Sequence, residues 1–221
     1  MSFRVVILAS GAGSLADALI NAATQTGYPA RVVALGADRL AEALNIARRH
    51  GVATFTVLPA DFPDRPAWDR GLAAAVESFD PDLVVSAGFM RILGKDFLAR
   101  FGERTINTHP ALLPAFPGAH AVRDALAAGA TVTGCTIHRV DEGVDTGPVL
   151  VQRQVAINPE DTEATLHERI KTVERELLIQ TVANLATGQH RQRRPFVCGT
   201  PFATRNRGAG SAGSAGTGMT S

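Results

Sequence analysis

Asn107 and His109 stand two residues apart in the stretch INTHPALLPAFPG, residues 106–118. An amide can donate to a developing oxyanion and an imidazole can carry a proton, so the two suit attack on a carbonyl followed by proton transfer. If residues 105–109 form a strand, positions 107 and 109 share one face, because strand side chains alternate. Pro110 and Pro114 remove two amide donors and turn the chain out of the sheet after His109. The pair is therefore expected at the carboxyl end of a strand, where parallel α/β sheets bind ligands. Asp145 follows in the loop DEGVDTG, which is long and acidic for a plain hairpin. A carboxylate brought beside an imidazole favours its charged form and fixes its orientation. Taken singly, His109 reads more readily as a structural histidine than as a catalyst, and Asp145 reads fairly as a turn residue. Taken together, the three residues supply a donor, an acid/base and an orienting group.

A second constellation concerns anions. SGAGS, residues 10–14, follows an apolar run and opens a helical segment, so its glycines let main-chain N–H groups approach a phosphate. The same glycines would also serve a tight strand-to-helix turn with no ligand. The spacing falls short of G-x-G-x-x-G, because position 16 is Ala16, which argues against a dinucleotide cofactor. Lys171 and Glu174 are three residues apart on a long helical segment and share a face. There a cation could meet phosphate and an acid could meet a hydroxyl or amine, although taken by themselves the two read first as an exposed ion pair.

These groups need a frame. The runs FRVVILAS, ARVVALGAD, ATFTVL and DLVVSAGF alternate with helical-period segments near 14–26, 39–50 and 66–79. That rhythm predicts a Rossmann-like, mostly parallel sheet with helices on both faces. TINTH, after a short helix around 94–100, is the fifth strand. A helix near 120–129 precedes two longer strands, TVTGCTIHRV and PVLVQRQVAI, which are expected to pair antiparallel. The long helix beyond residue 160 takes Asp161 or Thr162 as N-cap and Gly188 as its stop. Residues 189–221 begin basic, with Arg191, Arg193 and Arg194, and end rich in Gly, Ala and Ser, so disorder is expected from about residue 208.

The whole chain of 221 residues is 45% hydrophobic and 19% charged, which is ordinary for a protein with a real core. A formal net charge of +1 provides no long-range field for nucleic acid or a membrane surface. Cys135 and Cys198 lack metal-ligand spacing and argue against a disulfide framework, so neither a metal nor an oxidising compartment is expected. The first apolar run is too short to span a bilayer and has no signal-peptide leader, and the expected location is the cytoplasm.

INTHPALLPAFPG, SAGFMRIL and GCTIHRVDEGVDTGPVL, in this order and spacing, resemble the phosphoribosylglycinamide formyltransferases of purine biosynthesis over roughly residues 3–188. The resemblance implies a formyltransferase domain over 1–188 and makes Asn107, His109 and Asp145 the catalytic trio. It implies 10-formyltetrahydrofolate as formyl donor, lying against Met90, Arg91, Ile92 and Leu93 with Arg65 nearby and Asn107 at its formyl end. It places the phosphate and ribose of glycinamide ribonucleotide on Gly13, Ser14 and Leu15, with Lys171 and Glu174 from the late helix. The implied partners are these two small molecules, with no metal, and a homodimer is left open.

Two positions depart from the family's phosphate turn, which usually carries Asn where this chain has Ala12 and Leu15. Phosphate contacts are then expected to rest on main-chain amides. The motif is shared with methionyl-tRNA formyltransferase and formyltetrahydrofolate deformylase, so it fixes chemistry better than substrate. Length argues for the phosphoribosylglycinamide enzyme, since those relatives carry a further domain; sugar-nucleotide formyl transfer is another alternative. A non-catalytic nucleotide-binding module on the same sheet would leave the Asn107, His109 and Asp145 set without a purpose.

Overall fold

The computed structural model describes residues 2–188, and the tail at 189–221 lies outside the described residues. Strands β1 (Phe3–Leu8), β2 (Ala30–Ala37), β3 (Ala53–Thr56), β4 (Leu83–Ser86), β5 (Thr105–His109), β6 (Val132–Arg139) and β7 (Val149–Ala156) form one sheet in the order β3-β2-β1-β4-β5-β6-β7. The first five run parallel, whereas β6 lies antiparallel to β5 and β7 antiparallel to β6. Helices α1 (Ser14–Ala23), α2 (Glu42–Arg49), α3 (Arg65–Glu77), α4 (Lys95–Phe101), α5 (Ala121–Ala127) and α6 (Glu163–Ala186) cover it. The expected mixed α/β architecture, with its antiparallel pairing late in the chain, is the one observed.

Alternation in β1 explains the layering. Val5 and Ile7 join the apolar cluster that includes Leu15 and Leu19 of α1 and Leu177 of α6, while Val6 and Leu8 face Trp68 and Leu72 of α3 and Phe97 of α4. All four β1 residues are fully buried, as a parallel strand covered on both faces must be, so no polar residue interrupts the run. Helix α6 starts at Thr162, whose hydroxyl accepts from the Thr165 N–H in a capping box. Asp161 instead accepts from Arg169 at 2.6 Å. Gly188, at φ 72, follows the helix end.

The topology decides where a ligand can sit. From β1 the chain moves outward to β2 and β3, then returns to β4 on the other side of β1. The crevice between the carboxyl ends of β1 and β4 is thus a topological switch point, which loops leaving the two strands in opposite directions cannot fill.

Candidate active site

A cavity of about 510 Å³ opens at that switch point and extends over the end of β5. The β1–α1 turn lines one side, residues 86–93 after β4 another, and the loop holding Asp145 a third, with His167, Lys171 and Glu174 of α6 closing it.

Asn107 and His109 share the face that alternation requires, and the antiparallel register sets His138 of β6 opposite Asn107 and Thr136 opposite His109. Asp145 reaches Asn107, His109 and His138. Its Oδ2 lies 3.2 Å from His109 Nδ1, its Oδ1 lies 3.4 Å from His138 Nε2, and the Asn107 Nδ2 donates to Oδ1 at 3.3 Å. The Gly118 N–H also donates to Oδ2 at 2.8 Å. The hydrogen bond with His138 is the largest of the effects that hold the Asp145 carboxyl at about 2; burial opposes it, and Gly118 and the charge of His109 reinforce it. Asp145 is therefore an anion throughout the neutral range.

The other ring nitrogen of His109, Nε2, sits 2.7 Å from the Phe116 carbonyl. Both nitrogens thus face oxygen acceptors, and only an imidazolium can donate to both at once. Asn107 Nδ2 stands 3.2 Å from His138 Nε2 as well as near Asp145, and both contacts are long enough for a stronger acceptor to compete for the amide hydrogens.

Three local features shape the part of the cavity where an anion is expected. Gly13 has φ 79, and a Cβ placed there would come within 2.7 Å of the Ala43 main chain, so this glycine is demanded by the turn and by α2 irrespective of any ligand. Leu15 packs its side chain into the core cluster and can offer a ligand only its main chain, because an apolar side chain at that helical position is drawn to the sheet. Lys171 and Glu174 form no ion pair. Lys171 Nζ binds Glu168 at 2.8 Å, whereas Glu174 is 4% exposed. Burial raises the Glu174 carboxyl to about 7, against weaker opposing effects from Thr108 and Lys171. Ser14 lines the cavity at the first position of α1, and Gly13 caps that helix without a side-chain hydrogen bond.

Across the cavity, Met90 and Ile92 are 63% and 57% exposed, while Leu93 is buried beneath them. Arg91 lines the opening, but Arg65 does not. Arg65 lies 4.6 Å over the Trp68 ring and donates to the Ile92 carbonyl, so it braces the segment from behind.

Sequence reasoning missed two residues. His138 occupies the quoted stretch GCTIHRV, yet its role depends on the β5–β6 register, which local pattern does not give. His167 precedes Lys171 by one helical turn and Glu174 by two, so the 3.6-residue period could have added it. Among the described residues no group of His, Cys, Asp or Glu is gathered for a metal ion. No described helix is long and apolar enough to cross a membrane.

Residues 3–182 match the formyl transferase family. A phosphoribosylglycinamide formyltransferase of Mycobacterium tuberculosis is 60% identical over 184 residues, covering 83% of this chain and 85% of that protein. The same-named protein of Escherichia coli is 36% identical, over 84% of this chain and 88% of its own length. Among solved structures, glycinamide ribonucleotide transformylase 1 from Symbiobacterium toebii superposes with a TM-score of 0.83 at 38% identity, covering 85% of this chain and 89% of that one. With the trio gathered at the switch point and relatives of this identity over nearly the whole described chain, the protein belongs to the formyl transferase family and, within it, groups with the phosphoribosylglycinamide formyltransferases.

Proposed function

We propose that the cavity transfers a formyl group from 10-formyltetrahydrofolate to the primary amine of glycinamide ribonucleotide, with Asn107, His109 and Asp145 as the catalytic residues. The convergence of these three on one cavity wall carries the reading, since a binding module has no need of a largely buried carboxylate within 3.3 Å of both an imidazole and an amide. The amine nitrogen attacks the formyl carbon, and the carbonyl oxygen becomes an oxyanion. Asn107 Nδ2 and the His109 Nε2–H are the donors for it, and the substrate oxygen takes the place of the Phe116 carbonyl at Nε2. Asp145 holds the imidazolium by charge and orientation without taking its proton. As the tetrahedral intermediate collapses, the attacking nitrogen gives up a proton, N10 of the folate gains one, and the bond from the formyl carbon to N10 breaks. Donor groups of this kind are worth roughly 10²–10³-fold each in rate.

The exposed Met90 and Ile92 with the half-exposed Val144 give the mouth an apolar lip suited to a flat pterin, with Arg91 beside it for an acidic tail. On the opposite side the main-chain amides of Gly13, Ser14 and Leu15 and the Nζ of Lys171 suit a phosphate, and Glu174 suits a ribose hydroxyl. His167, on the same helical face, adds a ring donor to that subsite.

The test is turnover of a 10-formyl folate with glycinamide ribonucleotide, followed by the absorbance of the deformylated folate. The expected result is release that depends on the amine. Release at the same rate without it would mean that water is the acceptor and the reaction a deformylation.

A further inference from the structure

Asp38 follows β2, and its side chain is completely buried. A carboxylate so placed costs several kcal/mol of desolvation unless it is paired, as expected for any buried ion. Arg39, its neighbour in sequence, supplies one partner at 2.9 Å. That alone would neutralise the charge, so the further donors need a reason.

They come from the two other elements that frame the opening. Ser10, at the end of β1, donates its hydroxyl to Asp38 Oδ1 at 2.6 Å, and the same Oγ accepts the Met90 N–H at 2.8 Å. Arg91 donates its Nε to Asp38 Oδ2 at 2.9 Å. The Ser10 N–H donates to the Gly88 carbonyl at 3.1 Å. Residues 88–91 are in this way fastened to the ends of both β1 and β2, although they have no regular structure of their own and Met90 is largely exposed. The bond to Asp38 uses only Nε of Arg91, a residue that lines the cavity, so neither Nη group is spent on it. Burial pushes the Asp38 carboxyl up, but the hydrogen bonds from Arg39, Ser10 and Arg91 together outweigh it and hold the group at about 2. The Asp38 carboxyl is thus ionised throughout the neutral range.

We propose that Asp38 is a positioning residue for the folate substrate: through Arg91 and Ser10 it holds residues 88–91 in the conformation that receives the ligand before the ligand arrives. This rests on reading the cavity as the folate site. Preorganisation of this kind sets affinity by removing the ordering cost from binding. It leaves the reacting atoms alone, so the signature is a change in the folate's KM with little change in kcat.

Asp38→Asn is the discriminating change. The amide keeps an oxygen for Ser10 but turns an NH₂ toward the Arg91 Nε–H and the Arg39 Nη2, so it breaks the tether to Arg91 together with one bond from the half-exposed Arg39. Steady-state kinetics are to be compared for the parent protein, Asp38→Asn, Arg91→Gln and the double variant. The folate KM is expected to rise about tenfold in either single variant and no further in the double, since residues acting as a unit are not additive. The amine substrate's KM and kcat should stay within about threefold, as expected when only one ligand's binding is disturbed. Multiplying losses in the double variant, or equal rises in both KM values, would overturn the proposal.

If Asp38→Asn folds poorly, Arg91→Lys decides the matter. Arg91 is a partly exposed side chain, and lysine keeps the charge but has no Nε to hold against Asp38. A folate KM equal to the parent's in that variant overturns the tether. The parent protein's own turnover separates this inference from the reading beneath it. Absence of folate-dependent formyl transfer removes both, whereas normal parent turnover with an unaltered folate KM in Asp38→Asn removes only the positioning role.

Discussion

The Asp145 carboxylate joins two histidines, with Oδ2 3.2 Å from His109 Nδ1 and Oδ1 3.4 Å from His138 Nε2. Asp145 adopts φ 56, a left-handed conformation that costs a non-glycine residue of order 1 kcal/mol. Phe116, whose carbonyl faces the other nitrogen of His109, is also left-handed at φ 53. Two loops therefore take up unfavourable backbone geometry on opposite sides of one imidazole, which fixes the ring in place before any substrate binds.

Asp145→Asn removes the charge that orients and holds the imidazolium while preserving shape. The expected loss in kcat is at least about 10²-fold with modest changes in either KM, because the interaction acts mainly as the oxyanion forms. His109→Asn should cost about as much, and the double variant little more than the worse single. Losses that multiply would show independent roles for the two residues, and near-normal kcat in Asp145→Asn would take that residue out of the chemistry.

His138→Gln tests the second histidine through pH. Its hydrogen bond is the largest effect holding Asp145 at about 2 in place of 3.8. A lowered carboxyl stabilises the folded state above pH 3.8, and that stability is lost as pH falls toward 2. Weakening the shift moves the loss to higher pH. Acid unfolding followed by circular dichroism should therefore begin at higher pH in His138→Gln than in the parent. Superimposable acid limbs would mean that His109 and Gly118 suffice to hold the carboxylate.

The fold was legible because β1 announces itself. Val5, Val6, Ile7 and Leu8 form an unbroken apolar run that only a strand buried on both faces explains, and helical periods follow each such run. Asn107, His109 and Asp145 were legible as types and spacing, but their meeting was not, since it depends on how a loop distant in sequence folds over β5. His138 escaped for the same reason, because a one-residue change of register would have turned it to the other face. Glu174 was legible as a neighbour of Lys171 on one helical face, but not as a buried group. Helical spacing gives the shared face but not its depth: Lys171 pairs with Glu168 on its own helix, while Glu174 is buried and meets Thr108 of β5.

The phosphate subsite is better tested at Lys171 than at Gly13, where any side chain collides with Ala43 and harms the fold as well. Lys171→Ala should raise the KM for glycinamide ribonucleotide by about 10-fold or more and leave that for the folate unchanged, as expected for loss of one charge-assisted contact. His167→Ala should act in the same direction with a smaller effect. Burial is the main reason the imidazole is held below its usual range, with Lys171 adding to it, so at neutral pH the ring offers a neutral donor in place of a second full charge. Equal effects of Lys171→Ala on both substrates would place the lysine outside the phosphate subsite.

Glu174 ties this subsite to stability. Its carboxyl is raised from 4.5 to about 7 because it is buried, so the folded protein keeps a proton that the unfolded chain releases. Stability from this group is fully present below pH 4.5 and is lost as pH rises through about 7, after which it levels off. A shift of this size corresponds to about 3 kcal/mol across the window. Glu174→Gln has nothing to titrate, so urea denaturation at pH 5 and pH 8 should show the parent losing stability between the two while the variant does not. At pH 8 the variant should be the more stable protein. Its KM for glycinamide ribonucleotide should nevertheless rise, because the amide exchanges a carboxylate acceptor for a weaker one where the ribose hydroxyl is received. Retention of the carboxylate against the pull of stability is then explained by binding. Parallel pH dependence in the two proteins would show that Glu174 titrates as it would in water and that its burial does not govern the subsite.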